Sequence, residues 1–396
     1  MKLSQRILGM KPSATLAVDA KAKELRSQGK NVISFGSGEP DFTSPEAAFR
    51  YAKEAMETGK THYTPTPGIP ELRREICSYY QKEFGLEFLP EQVVVGSGAK
   101  PCIYEALAAI VDPEDEVILP APAWVSYIEQ IHLLGGKTVI VDTESNNFIP
   151  NIEDIEAAVT DKTVALLLNS PSNPTGMVYN ENTIRGLGEI ALKHNLWLIW
   201  DEIYEQLVYG DNKHCNPLQL MPELAARTII INGVSKAYAM TGWRIGYSIA
   251  PKPLALKIND FQSHLTSNAS SIAQWAAVGA MRESMDDVKN MKAAFESRRR
   301  LICDLLRAMP HIAFREPEGA FYVFVNIKKC IGMTYEGQLI TDDMDFCSKL
   351  LEGQLVAVVP GSAFLAPGYL RISYASSPET ITEGMQRLHA FLNKLQ

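Results

Sequence analysis

The chain has 396 residues, 46% of them apolar and 21% charged, a composition that can bury large cores and argues against general disorder. That length is more than one core of ordinary size accommodates, so two domains are expected. With 46 acidic against 38 basic side chains the net charge is −8, and without a basic block a nucleic-acid partner is not expected.

In chain order, one clear helix runs from Ala14 to Gln28, followed by a turn rich in small residues, Gly36-Ser37-Gly38-Glu39-Pro40-Asp41. Short β-branched and apolar runs then recur at 93–95, 117–119, 138–141, 164–168, 196–200 and 228–231. Helical patterns lie between them, at 100–111, 152–159 and 183–194. Continuous apolar strands separated by helices mean strands buried on both faces, hence an α/β fold with a mostly parallel sheet covered by helices. Such sheets carry binding groups in the loops after the carboxyl ends of their strands. Beyond Pro251 the pattern changes to charged helical stretches at 252–266 and 270–308. Strand-like stretches follow at 320–327, 355–359 and 369–374, with helices near 342–352 and 378–395. This predicts a smaller α/β domain joined by a long helix, with 1–44 as an N-terminal arm and part of the small domain, 45–288 as the large domain and 289–396 as the small one.

Six scattered cysteines, none in a C-x-x-C pair, suit neither a zinc ribbon nor a disulfide framework and fit a reducing cytosol. The seven histidines show no metal spacing, so no metal is assigned. No apolar run approaches the roughly 18 residues of a membrane span. The opening MKLSQRILGMKPSATLAV lacks the unbroken apolar stretch of a secretory signal. A cytoplasmic enzyme without a membrane partner is expected.

The chemistry lies at the strand ends. The run 196–200 ends at Asp201-Glu202, with Tyr204 following, and the run 228–231 leads to Gly233-Val234-Ser235-Lys236. Alone, the acid reads as a helix cap and the lysine as a solvated side chain. At the ends of successive central strands they can face one cavity, where burial makes the amine less basic and more nucleophilic. Asn169-Ser170-Pro171-Ser172-Asn173-Pro174-Thr175-Gly176 is a rigid loop that fixes side-chain amides. Gly96-Ser97-Gly98-Ala99 lets backbone N–H groups approach an anion at a helix start. Arg244, eight residues after Lys236, can hold a phosphate, and Arg371 inside the apolar pattern of Tyr369-Leu370-Arg371-Ile372-Ser373 needs an anion such as a substrate carboxylate. An aldehyde-binding lysine, an acid for a pyridinium nitrogen, a phosphate cup and a carboxylate-binding arginine together point to pyridoxal phosphate acting on an amino acid.

The motifs S-x-K-x-x-x-x-x-G-x-R (Ser235, Lys236, Gly242, Arg244), N-x-P-x-N-P-T-G (Asn169 to Gly176), D-E-x-Y (Asp201 to Tyr204) and Y-L-R-I-S around Arg371 resemble the class I aminotransferases of fold type I. The likeness runs nearly end to end. Within that family, Ala239 to Tyr247 and Lys11-Pro12-Ser13-Ala14-Thr15 resemble the bacterial aspartate aminotransferase branch, some of whose members accept prephenate.

The resemblance implies roles. Lys236 carries pyridoxal phosphate as a Schiff base and shuttles the substrate Cα proton, while Asp201 keeps the ring nitrogen protonated. Asn173 and Tyr204 hydrogen-bond the phenolic oxygen, and Trp124 stacks on the ring. Ser97, Gly98, Ala99, Ser235 and Arg244 cup the phosphate. Tyr63 reaches the phosphate of a second subunit, implying a homodimer with shared sites. Gly38 and Arg371 grip the substrate α-carboxylate, with Trp124 and Asn173 beside it. Lys100, with Ser13 or Thr15 nearby, takes the side-chain carboxylate, although Ala99 and Pro101 stand where the family pattern has Gly and Gln. The implied reaction is ping-pong transamination between aspartate and 2-oxoglutarate. A prephenate or aromatic aminotransferase, a lyase using the same cofactor and a cofactor-less scaffold are the alternatives.

Overall fold

The computed structural model describes residues 2–10 and 14–396. Helices α1 (Gln5–Leu8) and α2 (Ala14–Ser27) precede the short strand β1 (Ile33–Ser34) and helices α3 (Glu46–Glu57) and α4 (Pro70–Phe84). Strands and helices then alternate: β2 (Val93–Gly96), α5 (Ala99–Ala108), β3 (Glu116–Ala121), α6 (Ser126–Leu133), β4 (Lys137–Asp142), α7 (Ile152–Ala157), β5 (Thr163–Asn169), α8 (Glu181–Lys193), β6 (Trp197–Asp201), α9 (Pro217–Leu220) and β7 (Thr228–Gly233). β8 (Gly246–Ile249) leads into α10 (Lys252–Leu265), α11 (Ser271–Glu283) and α12 (Met285–Arg307). The remainder comprises β9 (Ala313–Phe314), β10 (Tyr322–Asn326), β11 (Thr334–Tyr335), β12 (Gln338–Leu339), α13 (Asp343–Gln354), β13 (Val356–Ala357), β14 (Val359–Pro360), β15 (Tyr369–Ser373) and α14 (Pro378–Leu392).

The large sheet has seven strands in the order β2-β8-β7-β6-β5-β3-β4. Six run one way, and β8 is antiparallel to both its neighbours. The segment between β7 and β8 holds no helix long enough for a parallel crossover, so the chain turns back at the same end of the sheet. That reversal puts the start of β8, and Arg244 just before it, level with the carboxyl ends of β2 and β7: Gly96, Gly246 and Gly233 are in register.

Alternation along the strands builds two cores. Val95, Leu166, Leu168, Leu198, Trp200 and Ile230 face helices α3, α4, α8 and α11. Val94, Leu167, Ile199, Ile229 and Ile231 face α5, α6 and α10. β4, at the edge, is mostly solvated and opens with a lysine, as edge strands do. A third core packs β10 and β15 against α12, α13 and α14, and includes Ile33 and Phe35 from the N-terminal segment. That core holds a four-stranded sheet (β14-β15-β10-β9), and β1 pairs with β13 in a two-stranded sheet of its own, joining the N-terminal segment to the chain just before β14.

Two sequence expectations are refined. The helical stretch 270–308 is two helices, because the chain leaves helical geometry at Ser284, and Asp286 and Asp287 then favour a fresh N-terminus. The strand-like run 355–359 splits between two sheets, β13 beside β1 and β14 beside β15. The reading left α3, α4, α6 and β8 unassigned.

Helix α11 lies against α3 so closely that a Cβ at Gly279 would stand 2.6 Å from the Ala47 carbonyl oxygen and 2.6 Å from the Tyr51 ring. Alanine gains about 1 kcal/mol of helix propensity over glycine. Overpacking costs about 1–3 kcal/mol when backbone is the obstacle, so the clash wins. Gly279→Ala is therefore expected to lower the chemical-denaturation midpoint, by the equivalent of up to about 2 kcal/mol, and a raised midpoint would contradict the packing described.

Candidate active site

One cavity of about 380 Å³ opens at the carboxyl edge of the large sheet, lined by groups from both sheets, among them Gly38, Lys100, Trp124, Asn173, Asp201, Tyr204, Ser235, Lys236, Arg244 and Arg371. Neighbouring parallel strands deliver the first of these. Asn169 ends β5 opposite Asp201 on β6, and Asp201 is level with Ile231 on β7, five residues before Lys236. Asp201 and Lys236 thus meet in a single cavity.

Asp201 is buried. Its Oδ2 accepts a 2.6 Å hydrogen bond from the Tyr127 hydroxyl and its Oδ1 accepts one from the Ile203 N–H at 3.1 Å. Burial pushes its pKa up to about 6, while these two donors pull it down. Glu202 points the other way and is held by Tyr80, Trp200, His214 and Asn216 at 2.7–3.0 Å, which anchors the strand end bearing Asp201. The Lys236 ammonium donates to the Gly38 carbonyl. Burial lowers its pKa to about 8, with Arg371 and Arg244 adding to the fall and Glu39 and Asp201 opposing it. A lysine poised near neutrality opposite a buried acid is the arrangement that nucleophilic amine chemistry needs.

The Asn loop is tied down by its own side chains. Asn169 Nδ2 donates to the Asp201 carbonyl, and its Oδ1 accepts the Asn173 N–H at 2.9 Å. Asn173 Oδ1 in turn accepts from Arg371 Nη1 at 3.0 Å, so its amide nitrogen is left to face the cavity. Arg371 is 2% exposed; its other recorded bond is to the Gly36 carbonyl, and its Nε is buried without a partner. Neither acceptor is a carboxylate, so the guanidinium keeps its charge available for one.

At the opposite end α5 begins at Ala99 with no side-chain cap. Gly98 has φ 102°, which favours glycine, and a Cβ there would stand 2.3 Å from Arg244 Nη2. Uncapped helix N–H groups, that glycine and an arginine make an anion cup. Trp124 packs edge-on against Tyr127, and Lys100 Nζ lies 4.7 Å from the Trp124 ring centre. Burial and the Arg244 charge hold the Lys100 pKa below the usual lysine range. Tyr204 is buried with its hydroxyl 2.9 Å from that of Tyr322. Tyr63 lies apart from this cavity and is 92% exposed. Ser13 lies outside the described residues, and Thr15 falls in α2.

An anion cup at one end, a buried acid near the other, an amine between them and a flanking indole fit pyridoxal phosphate in size and charge. The sequence reading missed Tyr127 and Tyr322. Tyr127 lies just inside α6 and Tyr322 opens β10, both within apolar stretches that give no signal of a polar role.

This geometry defines a pyridoxal-phosphate-dependent enzyme of fold type I, and the chain belongs to the family of class I and II aminotransferases, whose profile matches residues 30–388. It is 44% identical to an aspartate aminotransferase of Geobacillus stearothermophilus over 393 residues, 99% of each chain. It is 45% identical to a probable aspartate/prephenate aminotransferase of Rhizobium leguminosarum bv. phaseoli over 393 residues, 98% of each. The crystal structure of the aspartate aminotransferase from Rhizobium meliloti superposes with a TM-score of 0.96 at 41% identity, covering all of both chains. Transamination with pyridoxal phosphate is the reaction, and amino acids and oxo acids are the substrates.

A carboxyl raised above its unfolded pKa of about 3.8 stabilises the fold fully only below that value, and the contribution is lost as pH rises through about 6. In cofactor-free protein, Asp201→Asn should therefore raise the urea midpoint at pH 8 and leave it unchanged near pH 4. The upper bound is about 3 kcal/mol, at about 1.4 kcal/mol per pKa unit. A less stable Asn variant at pH 8 would show that burial does not disfavour this carboxylate.

Proposed function

We propose that the enzyme exchanges the amino group between aspartate and 2-oxoglutarate by a ping-pong route. The observation that carries this is the meeting of Lys236, Asp201 and the buried Arg371 in one cavity, with Lys100 at its edge. Aspartate stands in the names of the Geobacillus and Rhizobium proteins. Prephenate stands in one of them too, which makes it the second acceptor to try.

When bound, pyridoxal phosphate supplies an aldehyde for the amino group and a ring that takes up the electrons of the Cα–H bond. The residues do the rest. Ser97, Gly98, Ala99, Ser235 and Arg244 would hold the phosphate. Trp124 would cover the ring face, and Asp201 would keep a proton on the ring nitrogen. Asn173 and Tyr204 would donate to the phenolic oxygen. Arg371, with Gly38, binds the α-carboxylate in a bidentate fork and fixes the Cα–H bond toward Lys236. Lys236, whose amine is held at a pKa of about 8 by burial, would take the proton from the substrate Cα and pass it on. Lys100 meets the side-chain carboxylate, which sets preference among amino acids.

The reading extends to assembly. A groove of about 710 Å³ beside the anion cup is lined by Phe42, Phe49, Ser97, Trp243 and Arg244. A second copy's Tyr63, carried on an exposed loop, would enter such a groove and complete the phosphate site, which makes the protein a homodimer with shared sites. The same reading divides the chain into 1–44, 45–288 and 289–396, supported by the pairing of β1 with β13 and by the separate cores. Among the described residues no helix is long and apolar enough to cross a membrane. A cytoplasmic location, as for a metabolic enzyme, is part of the proposal.

Purified holoenzyme given aspartate and 2-oxoglutarate should yield glutamate and oxaloacetate, with the visible absorption of the cofactor changing on aspartate alone. Absence of both would refute the substrate assignment. Lys236→Ala should still bind the cofactor noncovalently and lose turnover by several orders of magnitude; a near-normal rate would remove it as the base.

Lys100→Ala should cut kcat/KM for aspartate by about 10- to 100-fold while leaving phenylalanine nearly unchanged, since one charge-assisted bond is worth about 1.5–3 kcal/mol. An unchanged ratio of the two substrates would take Lys100 out of side-chain recognition.

A further inference from the structure

We infer that Tyr322 is a positioning residue that sets the hydrogen-bond strength of Tyr204 toward the cofactor and, with its ring, supports Arg371 on the substrate side. The inference rests on the proposed role of Tyr204.

Tyr322 opens β10 in the smaller sheet and is fully buried, yet it lines the cavity. Its hydroxyl is 2.9 Å from that of Tyr204, and the two rings meet edge-on at 5.8 Å. The Arg371 guanidinium lies over the Tyr322 ring, 4.4 Å from its centre. A Cβ at Gly38 would stand 3.2 Å from the Tyr322 hydroxyl, so the phenol also lies against the turn that faces the substrate. One side chain therefore touches a cofactor-facing group and two substrate-facing ones.

The proton arithmetic fixes the direction of the hydroxyl pair. Each phenol has one O–H to give. If Tyr204 donates to the phenolic oxygen of the cofactor, its own oxygen is left as the acceptor, and Tyr322 must be the donor. A hydroxyl that accepts a hydrogen bond becomes a better donor in its turn, and in a dry site the effect is larger than in water. Burial raises the pKa of both phenols, so both keep their protons across the working range. The charged groups that act on the pair are Arg371 on β15 and Asp201 on β6, with Lys236 on the turn after β7 lining the same cavity.

Donors on the phenolic oxygen favour its anionic form and so lower the pH at which the visible band of bound pyridoxal phosphate titrates. The test is that titration in holoenzyme, with KM for aspartate measured beside it. Tyr322→Phe keeps the ring under Arg371 and deletes the hydroxyl alone. It should raise the midpoint by about half a pH unit, with KM within about twofold. Tyr204→Phe should raise it further, and the double variant should match Tyr204→Phe, because Tyr322 acts through Tyr204. Tyr322→Leu, which removes the ring as well, should raise KM about tenfold in addition.

A midpoint unmoved by Tyr322→Phe while Tyr204→Phe shifts it overturns the inference and leaves the Tyr204 reading intact. A midpoint unmoved by Tyr204→Phe overturns that reading and the inference with it. Additive shifts in the double variant would mean that Tyr322 acts on the cofactor independently, which also defeats the proposal.

Discussion

The structure depends on bringing an amine and a carboxyl, neither at ease in a buried place, to the same edge of one sheet. Burial raises the Asp201 pKa to about 6 and lowers that of Lys236 to about 8, so each is driven toward its neutral form. The protein tolerates this because the strand ends are locked from behind. Glu202 holds four donors on the far side of the strand, and Asn169 stitches β5 to β6 at the level of Asp201. A strand end thus holds the buried acid in place, and the short turn after the neighbouring strand brings the amine into the same cavity.

A second constraint is the reversal at β8. Because the chain turns back after β7, Arg244 arrives where α5 begins, and its guanidinium lies where a side chain on Gly98 would stand. The anion cup is thus made from two distant stretches, and the glycine is required both by its φ of 102° and by the arginine beside it. The smaller sheet supplies the rest through β10 and β15, which present Tyr322 and Arg371 across the cavity from Asp201 and Lys236. The cavity is therefore lined from two bodies of secondary structure. Asn173, bonded to Arg371, and Tyr204, beside Tyr322, are two of the places where these bodies touch inside the cavity.

Much of the site was legible in residue order. Strand-end rules led to Asp201, Lys236 and the Asn loop without reference to any relative, and the anomalous arginine within an apolar strand pointed to Arg371. Family likeness added Trp124, Tyr63 and Lys100, whose roles no spacing argument reached. Tyr127 and Tyr322 escaped because aromatic residues in apolar stretches look the same whether they fill a core or hydrogen-bond a polar group in the cavity. Helices α3 and α4 were left unassigned, although α4 begins at a proline and ends at a left-handed Gly85, both signals that a chain-order reading can use.

The sequence alone determined the alternation of buried strands and helices, hence the class of fold, and it placed the reactive groups at strand ends, because burial on two faces leaves only the ends free for polar chemistry. Tertiary structure alone decided which ends face one another. Strand order is set by which neighbours share a core, as in the placement of β8 between β2 and β7, and no local pattern encodes that. The partners of Asp201 and Tyr204 were likewise decided by packing, since a hydroxyl 74 or 118 residues away becomes a neighbour only when the sheets and helices have closed around it.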